Sequence, residues 1–157
     1  MSRKDSPGVY IPPPLIYAAF FFAAVLMQKF FPLPGMWLHT TLVKVLGWLI
    51  ITGSVAVLLF PALLKFIQSR NSVMTIRPAA SLQTKGIYSI TRNPMYLGLV
   101  ILYIGIGFLK GNSWTFLILP FLMLTVQNYI IKREERYLQR AFGEQYSAYI
   151  KQVRRWV

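Results

Sequence analysis

The stretch Leu82-Gln-Thr-Lys-Gly-Ile-Tyr-Ser-Ile-Thr-Arg-Asn-Pro-Met-Tyr-Leu-Gly98 crowds cationic, aromatic and backbone-special residues directly ahead of a long apolar run. Gly86 marks a turn, since glycine tolerates backbone angles that other residues resist. Pro94 suits the first turn of a helix, where its missing N–H costs nothing. Asn93 before it is pushed out of the helical region, as an N-cap should be. A helix therefore starts at Asn93-Pro94, and Arg92, Tyr88 and Tyr96 sit at its mouth. The run that follows is apolar enough to enter a bilayer, so the mouth lies at a membrane surface.

Composition agrees. The 157 residues make one domain, residues 1–157, and 55% of them are hydrophobic, above the roughly 45–50% of soluble domains. Mean hydropathy is +0.50. With no cysteine and a single histidine, His39, neither a thiolate nucleophile nor a metal site is expected, and His39 reads as a solvated interfacial residue. The net charge of +13 would suit a nucleic-acid binder in a soluble chain. Here the cations flank apolar spans, which is the signature of membrane orientation beside anionic lipid, and nucleic acid is not expected as a partner.

The expected fold is all-α and polytopic, with four transmembrane helices at about 15–31, 42–67, 94–109 and 113–131 and a C-terminal amphipathic helical segment at 132–153. About 20 residues cross a ~30 Å hydrocarbon core, so the second span crosses with tilt and the third is near the minimum length. A secretory signal peptide competes for the first span, but no small-x-small cleavage site follows it. Pro61 predicts a kink, Pro120 a break, and Lys110-Gly-Asn112 a tight turn. Trp37 is placed at an interface, and residues 68–85 form the extended polar connection. Of the seventeen cations, Lys29, Lys44 and Lys110 fall on one side of such a bundle and the other fourteen on the opposite side. The positive-inside rule makes the richer side cytosolic, together with both termini.

Four acidic residues exist, and Glu134 and Glu135 are adjacent just past the fourth span. At about 100° per residue, a helix continuing to Phe142 puts Glu134 on the apolar stripe with Gln127, Ile131, Leu138, Ala141 and Phe142. Glu135 lies at the edge of that stripe, and Lys132, Arg133, Arg136 and Arg140 occupy the opposite arc, towards headgroups or water. A carboxylate on the inward side of a membrane boundary is a functional-site hypothesis, with a structural ion pair to Arg92 as the competing reading. Tyr146, Tyr149, Val153 and Trp156 continue an apolar ridge, read as packing first and pocket wall second.

The two halves, Leu82-x-Thr84-x-Gly86-x-Tyr88-x-x-x-Arg92-x-Pro94-x-Tyr96-x-Gly98 and Glu134-Glu135-x-x-Leu138-x-x-x-Phe142-Gly143-x-x-Tyr146-x-x-Tyr149-x-x-x-Val153, resemble the isoprenylcysteine carboxyl methyltransferase and phospholipid methyltransferase superfamily. The resemblance covers the C-terminal half. It implies an integral membrane enzyme that uses S-adenosylmethionine on the cytosolic side. The implied cofactor-binding residues are Lys85, Gly86, Tyr88, Asn93, Pro94, Tyr96, Gly98, Glu134 and Glu135, with Arg92 and Glu134 in catalytic roles. Chemistry is compatible: carboxylates suit the cofactor's ammonium, Arg92 or backbone N–H groups its carboxylate, and Tyr88 or Tyr96 the sulfonium or adenine. Many carboxyl methyltransferases of the superfamily have histidine where Asn93 stands, and Asn-Pro-Met-Tyr is closer to phospholipid N-methyltransferases. The acceptor stays open between a prenylcysteine-like carboxylate, a lipid amine and a small apolar thiol. An NADPH-dependent membrane reductase of the sterol reductase type and a non-catalytic membrane protein are the alternatives.

Overall fold

A computed structural model describes residues 7–68 and 81–157, with the side chains of Met36, Trp37, Phe66 and Gln68 left aside. The cations Arg3, Lys4, Arg70 and Arg77, most of the polar connection at 68–85 and the Trp37 side chain therefore lie outside the described residues. Helices dominate, and no strand occurs among the described residues. The chain is thus all-α, as its pattern requires.

Helix α1, Pro13–Phe30, starts two residues earlier than its apolar run because Pro13 fits the first turn. A single 3₁₀ turn, Met36–His39, leads to α2, Thr41–Gly53, where the Thr40 hydroxyl accepts from the Val43 N–H. Pro61 does not produce a simple bend. The chain widens into a π-helical stretch, Ser54–Leu59, before continuing as α3, Phe60–Gln68. Proline removes one ladder bond and crowds the preceding turn, and a wider turn relieves both. Helix α4, Pro94–Lys110, ends at Gly111 in the left-handed conformation, with φ 61°.

The fourth expected span is not one helix. It comprises α5, Ser113–Leu117, then α6, Leu119–Thr125, with Pro120 at the new start, and then a π-helical stretch, Val126–Ile131. Two helical runs are by themselves long and apolar enough to cross a membrane, Pro13–Phe30 and Thr41–Lys65, and Pro94–Lys110 is a shorter apolar helix. Helix α7, Lys132–Gln152, carries a kink at Gly143, where φ is 49°.

Helices α2 and α4 pack along their length through small residues. A Cβ on Gly105 would stand 2.7 Å from Ile51 Cγ1 and 3.1 Å from the Gly47 carbonyl oxygen. Close backbone approach of this kind is how helices associate where lipid removes the hydrophobic drive. Because backbone cannot yield as a side-chain tip can, Gly105→Val should cost about 1–3 kcal/mol by overpacking, read as a lower melting temperature in detergent. The core runs from Val9, Ile16 and Tyr17 through Tyr96, Val100 and Tyr103 to Leu122, Val126, Ile130 and Ile131. A second cluster of Tyr146, Tyr149 and Val153 packs with Leu82, Leu138 and Phe142. It is the apolar ridge expected from the sequence, while Trp156 joins the main core.

Candidate functional site

Asn93 occupies the N-cap position of α4, but its side chain does not cap the helix. The Thr91 hydroxyl accepts the Asn93 N–H instead, at 3.2 Å, and Asn93 Nδ2 donates to the Arg155 carbonyl at 2.9 Å. Two more bonds join the same segments: Arg92 N–H to the Arg154 carbonyl at 3.0 Å and Thr91 Oγ1 to the Arg155 carbonyl at 3.2 Å. The start of α4 and the chain after α7 are thereby stitched edge to edge. Gly143 makes this possible, because its left-handed backbone turns α7 back over the helix mouth.

Stitching brings opposite charges together. Arg155 grips Glu135 with both ends of its guanidinium, at 2.9 and 2.7 Å, and Arg92 Nη1 approaches the same carboxylate at 3.3 Å. Bidentate pairing of this kind is stronger and more directional than a neutral hydrogen bond. Arg92 Nη1 also lies 3.5 Å from the Tyr146 hydroxyl, while its Nε is buried with no hydrogen-bond partner among the described residues. A buried donor of this kind calls for a partner, supplied by water or by a ligand.

Glu134 is held apart from that ion cluster. Its Oε1 accepts from the Tyr96 hydroxyl at 2.6 Å, and the Tyr17 hydroxyl donates to the Tyr96 carbonyl at 3.0 Å. Burial pushes the Glu134 carboxyl up to about 7. The Tyr96 hydrogen bond opposes this, and the charge on Glu135 adds to it. Burial also raises the Tyr88 hydroxyl above its ordinary value, with the nearby Glu134 charge adding.

Beside the cluster opens a cavity of about 650 Å³, lined among others by Arg92, Lys132, Glu135, Arg136, Tyr146 and Arg155. Four cations against one carboxylate make it strongly cationic. Lys132 and Arg136, expected to face headgroups or water only, contribute to its wall. Ala141, expected inward, is exposed. Glu134 does not line the cavity but stands behind Glu135 on α7, against Tyr96.

Of the sequence-predicted site residues, the structure gathers Arg92, Asn93, Tyr96, Glu134 and Glu135, with Tyr88 adjoining. Lys85 and Gly86 are exposed around the 3₁₀ turn Gly86–Ser89. Pro94 is buried as the helix start. Gly98 faces Leu58 and Leu59, where an added Cβ would clash at 2.6 Å, and its carbonyl accepts from the Ser54 hydroxyl at 2.7 Å. Gly98 is therefore a packing contact between α4 and the π-helical stretch. Arg155 was not singled out from the sequence. Its signal was indirect: with so few acids in a chain of +13, one carboxylate can draw more than one cation, as Glu135 does.

This is a membrane-associated helical protein with a charged site where its last helix folds back on α4. A family model described as phospholipid methyltransferase matches residues 65–145, just over half of the chain. The chain belongs to that family, within the wider group that includes the isoprenylcysteine methyltransferases. It is 36% identical over 63 residues, 40% of this chain, to the whole of an uncharacterized protein of Haemophilus influenzae. It is also 36% identical over 72 residues to the protein-S-isoprenylcysteine O-methyltransferase of Schizosaccharomyces pombe. That match covers 46% of this chain and 30% of the yeast protein's length. No solved structure matches. The family match stops at residue 145, so Tyr146 and Arg155 extend the site beyond it.

Proposed function

We propose that the protein is an S-adenosylmethionine-dependent methyltransferase acting on a lipophilic acceptor at the cytosolic membrane face, as a single domain with four spans and both termini cytosolic. The observation that carries this reading is the division of labour between the two glutamates. Glu135 is matched by two guanidiniums, whereas Glu134 has a neutral tyrosine partner and remains available to a cation. An amino acid moiety needs one group for its ammonium and another for its carboxylate. Glu134 would take the first, and Arg92, with its unused Nε, the second. The 650 Å³ cavity lies within the range of pockets that hold ligands of this size, with Arg92 in its wall; Glu134 stands behind that wall, so reaching it requires the Glu135 side of the cavity to open.

The cofactor, when bound, supplies an electrophilic methyl group on sulfur. The protein's own contribution is to orient and to exclude water, and no covalent intermediate is needed. Tyr96 fixes the Glu134 carboxyl, and Tyr88, buried nearby, is a candidate aromatic face for the sulfonium or adenine. Lys132 and Arg136 suit an acceptor that is itself anionic near the reacting atom, either the phosphodiester of a lipid amine or a prenylcysteine-like carboxylate. A small apolar thiol would leave these cations unmatched.

Titration of the purified protein with S-adenosylhomocysteine and with NADPH tests the reading. The first should bind and the second should not; NADPH binding without the first would support a reductase, and binding of neither a non-catalytic protein. The pH dependence is a further check. Glu134 binds the ammonium as a carboxylate, so affinity for S-adenosylhomocysteine should rise about ten-fold from pH 6 to pH 8, with uptake of ligand releasing a proton. The apo protein should respond in the opposite sense. Its folded form holds the Glu134 proton more tightly than the unfolded chain, so stability falls as pH rises from about 4.5 through about 7. For the topology, reporter fusions placed after Lys110 and after Val157 should register on opposite sides of the membrane. Both on one side would remove the four-span arrangement and the cytosolic site with it.

A further inference from the structure

A second cavity, of about 480 Å³, lies at the other end of α4 and is lined by Phe21, Val25, Gln28, Lys29, Lys110 and Asn112. Seventeen residues at about 1.5 Å each put it roughly 25 Å from the Arg92 mouth, so it is not part of that site. Its lining changes along α1. Phe21 and Val25 form an apolar lower wall, and Gln28 with the two lysines forms a polar upper rim. The neighbouring surface of α1 is apolar and open, with Phe22 64% and Val25 41% exposed. An amphiphile standing upright against α1 would meet this gradient in the right order.

The polar rim has specific vacancies. The Gln28 Nε2 donates to the Leu33 carbonyl at 3.1 Å, but its Oε1 is buried with no partner among the described residues. Asn112 is already spent: its Nδ2 donates to the Ala24 carbonyl and its Oδ1 accepts the Thr115 N–H. Lys29 and Lys110 end α1 and α4, where the helix dipole favours cations. The dipole explains a positive charge at each end but not an unfilled acceptor between them. No described carboxylate pairs with either lysine, since Glu134, Glu135 and Glu144 are all on α7. A ligand here needs an anionic group for two ammoniums and a hydroxyl donor for Gln28 Oε1.

We propose that this cavity binds an anionic phospholipid with a hydroxylated headgroup, of the phosphatidylglycerol type, on the membrane face opposite the methyltransferase site. The phosphodiester bridges Lys29 and Lys110, a headgroup hydroxyl donates to Gln28 Oε1, and an acyl chain follows Val25 and Phe22. Phosphatidic acid lacks the hydroxylated headgroup, and phosphatidylethanolamine would bring an ammonium against two lysines. The test uses the full chain in detergent micelles with each of these three lipids, carrying a photoactivatable diazirine in an acyl chain, and maps adducts by peptide. Phosphatidylglycerol should label the Phe21–Lys29 segment most strongly. Lys29→Gln combined with Lys110→Gln should lower that yield about ten-fold while leaving adducts at the Arg92 end unchanged, which also reports that the variant is folded. Gln28→Leu should erase the preference for phosphatidylglycerol over phosphatidic acid. Equal labelling by the three lipids in the native chain, or an unchanged yield in the double variant, overturns the proposal. Full competition by glycerol 1-phosphate would also overturn it, in favour of a site for the free water-soluble anion.

Discussion

Glu134→Gln should weaken S-adenosylhomocysteine binding by about 1.5–3 kcal/mol, roughly ten- to more than a hundred-fold, without lowering the melting temperature of the apo protein. The amide keeps the shape of the side chain and an oxygen that can accept from the Tyr96 hydroxyl at its present 2.6 Å. What it loses is the charge. In the apo protein that charge is unwelcome, because burial raises the carboxyl to about 7, and a neutral amide is easier to bury than an unpaired carboxylate. The apo variant should therefore melt at the same temperature or higher at pH 8, and its affinity should no longer change between pH 6 and pH 8. Isothermal titration beside an apo melting curve at the two pH values reads both effects. A lower melting temperature with unchanged affinity would make Glu134 a structural residue, leaving Glu135 as the carboxylate for the ammonium. Tyr96→Phe offers a control: removing the hydroxyl strips Glu134 of its hydrogen bond without touching the charge, so binding should fall by less than in Glu134→Gln.

The position of Glu134 was legible because nothing interrupts α-helical phase between Lys132 and Phe142, where the wheel arithmetic applies. The wheel does not say what each face meets: Ala141, on the same stripe, is exposed, and Lys132 and Arg136, on the opposite arc, line the cavity. Upstream that arithmetic loses its basis. The π-helical stretch Val126–Ile131 adds residues per turn without any proline or glycine of its own, so sequence gave no warning of it. The starts and stops of α4 were legible for the opposite reason, since Pro94 and Gly111 act locally on the backbone. Arg155 was not. It meets Glu135 across 20 residues only because the Gly143 backbone turns the chain, and no local spacing rule reaches across such a turn. Asn93 shows a subtler limit. Its cap position was readable, but its side chain serves the Arg155 carbonyl, a tertiary bond that overrides the local preference. Gly98 likewise matched the motif, yet what fixes it is contact with Leu58 and Leu59 on a helix that the motif does not include.

Arg92→Lys should abolish most activity while leaving the fold intact, and the geometry says why the two effects separate. The Arg92 guanidinium uses one nitrogen for both Glu135 and Tyr146, at 3.3 and 3.5 Å, and keeps its buried Nε free. A lysine ammonium can stay near Glu135, whose main partner is Arg155 in any case, so the ion cluster survives. With side chains 14–32% exposed, the Arg92 contact contributes only a modest part of stability. Lysine cannot, however, offer a planar fork to a ligand carboxylate while one end faces Glu135. The expected outcome is a fall of about ten- to a hundred-fold in S-adenosylhomocysteine affinity with a melting temperature close to the parent's. Arg92→Ala should lose affinity to a similar degree. Glu135→Ala is the reciprocal experiment and should fail in a different way. It leaves Arg92 and Arg155 facing each other with no carboxylate between them, and like charges in a half-buried site repel. Here the melting temperature should drop, and the stitched tail should become accessible to protease after Lys151 or Arg154. Full activity in Arg92→Lys would reduce Arg92 to a charge that holds Glu135. An unchanged melting temperature in Glu135→Ala would mean that the backbone bonds through Thr91 and Asn93 hold the tail without help from the ion cluster.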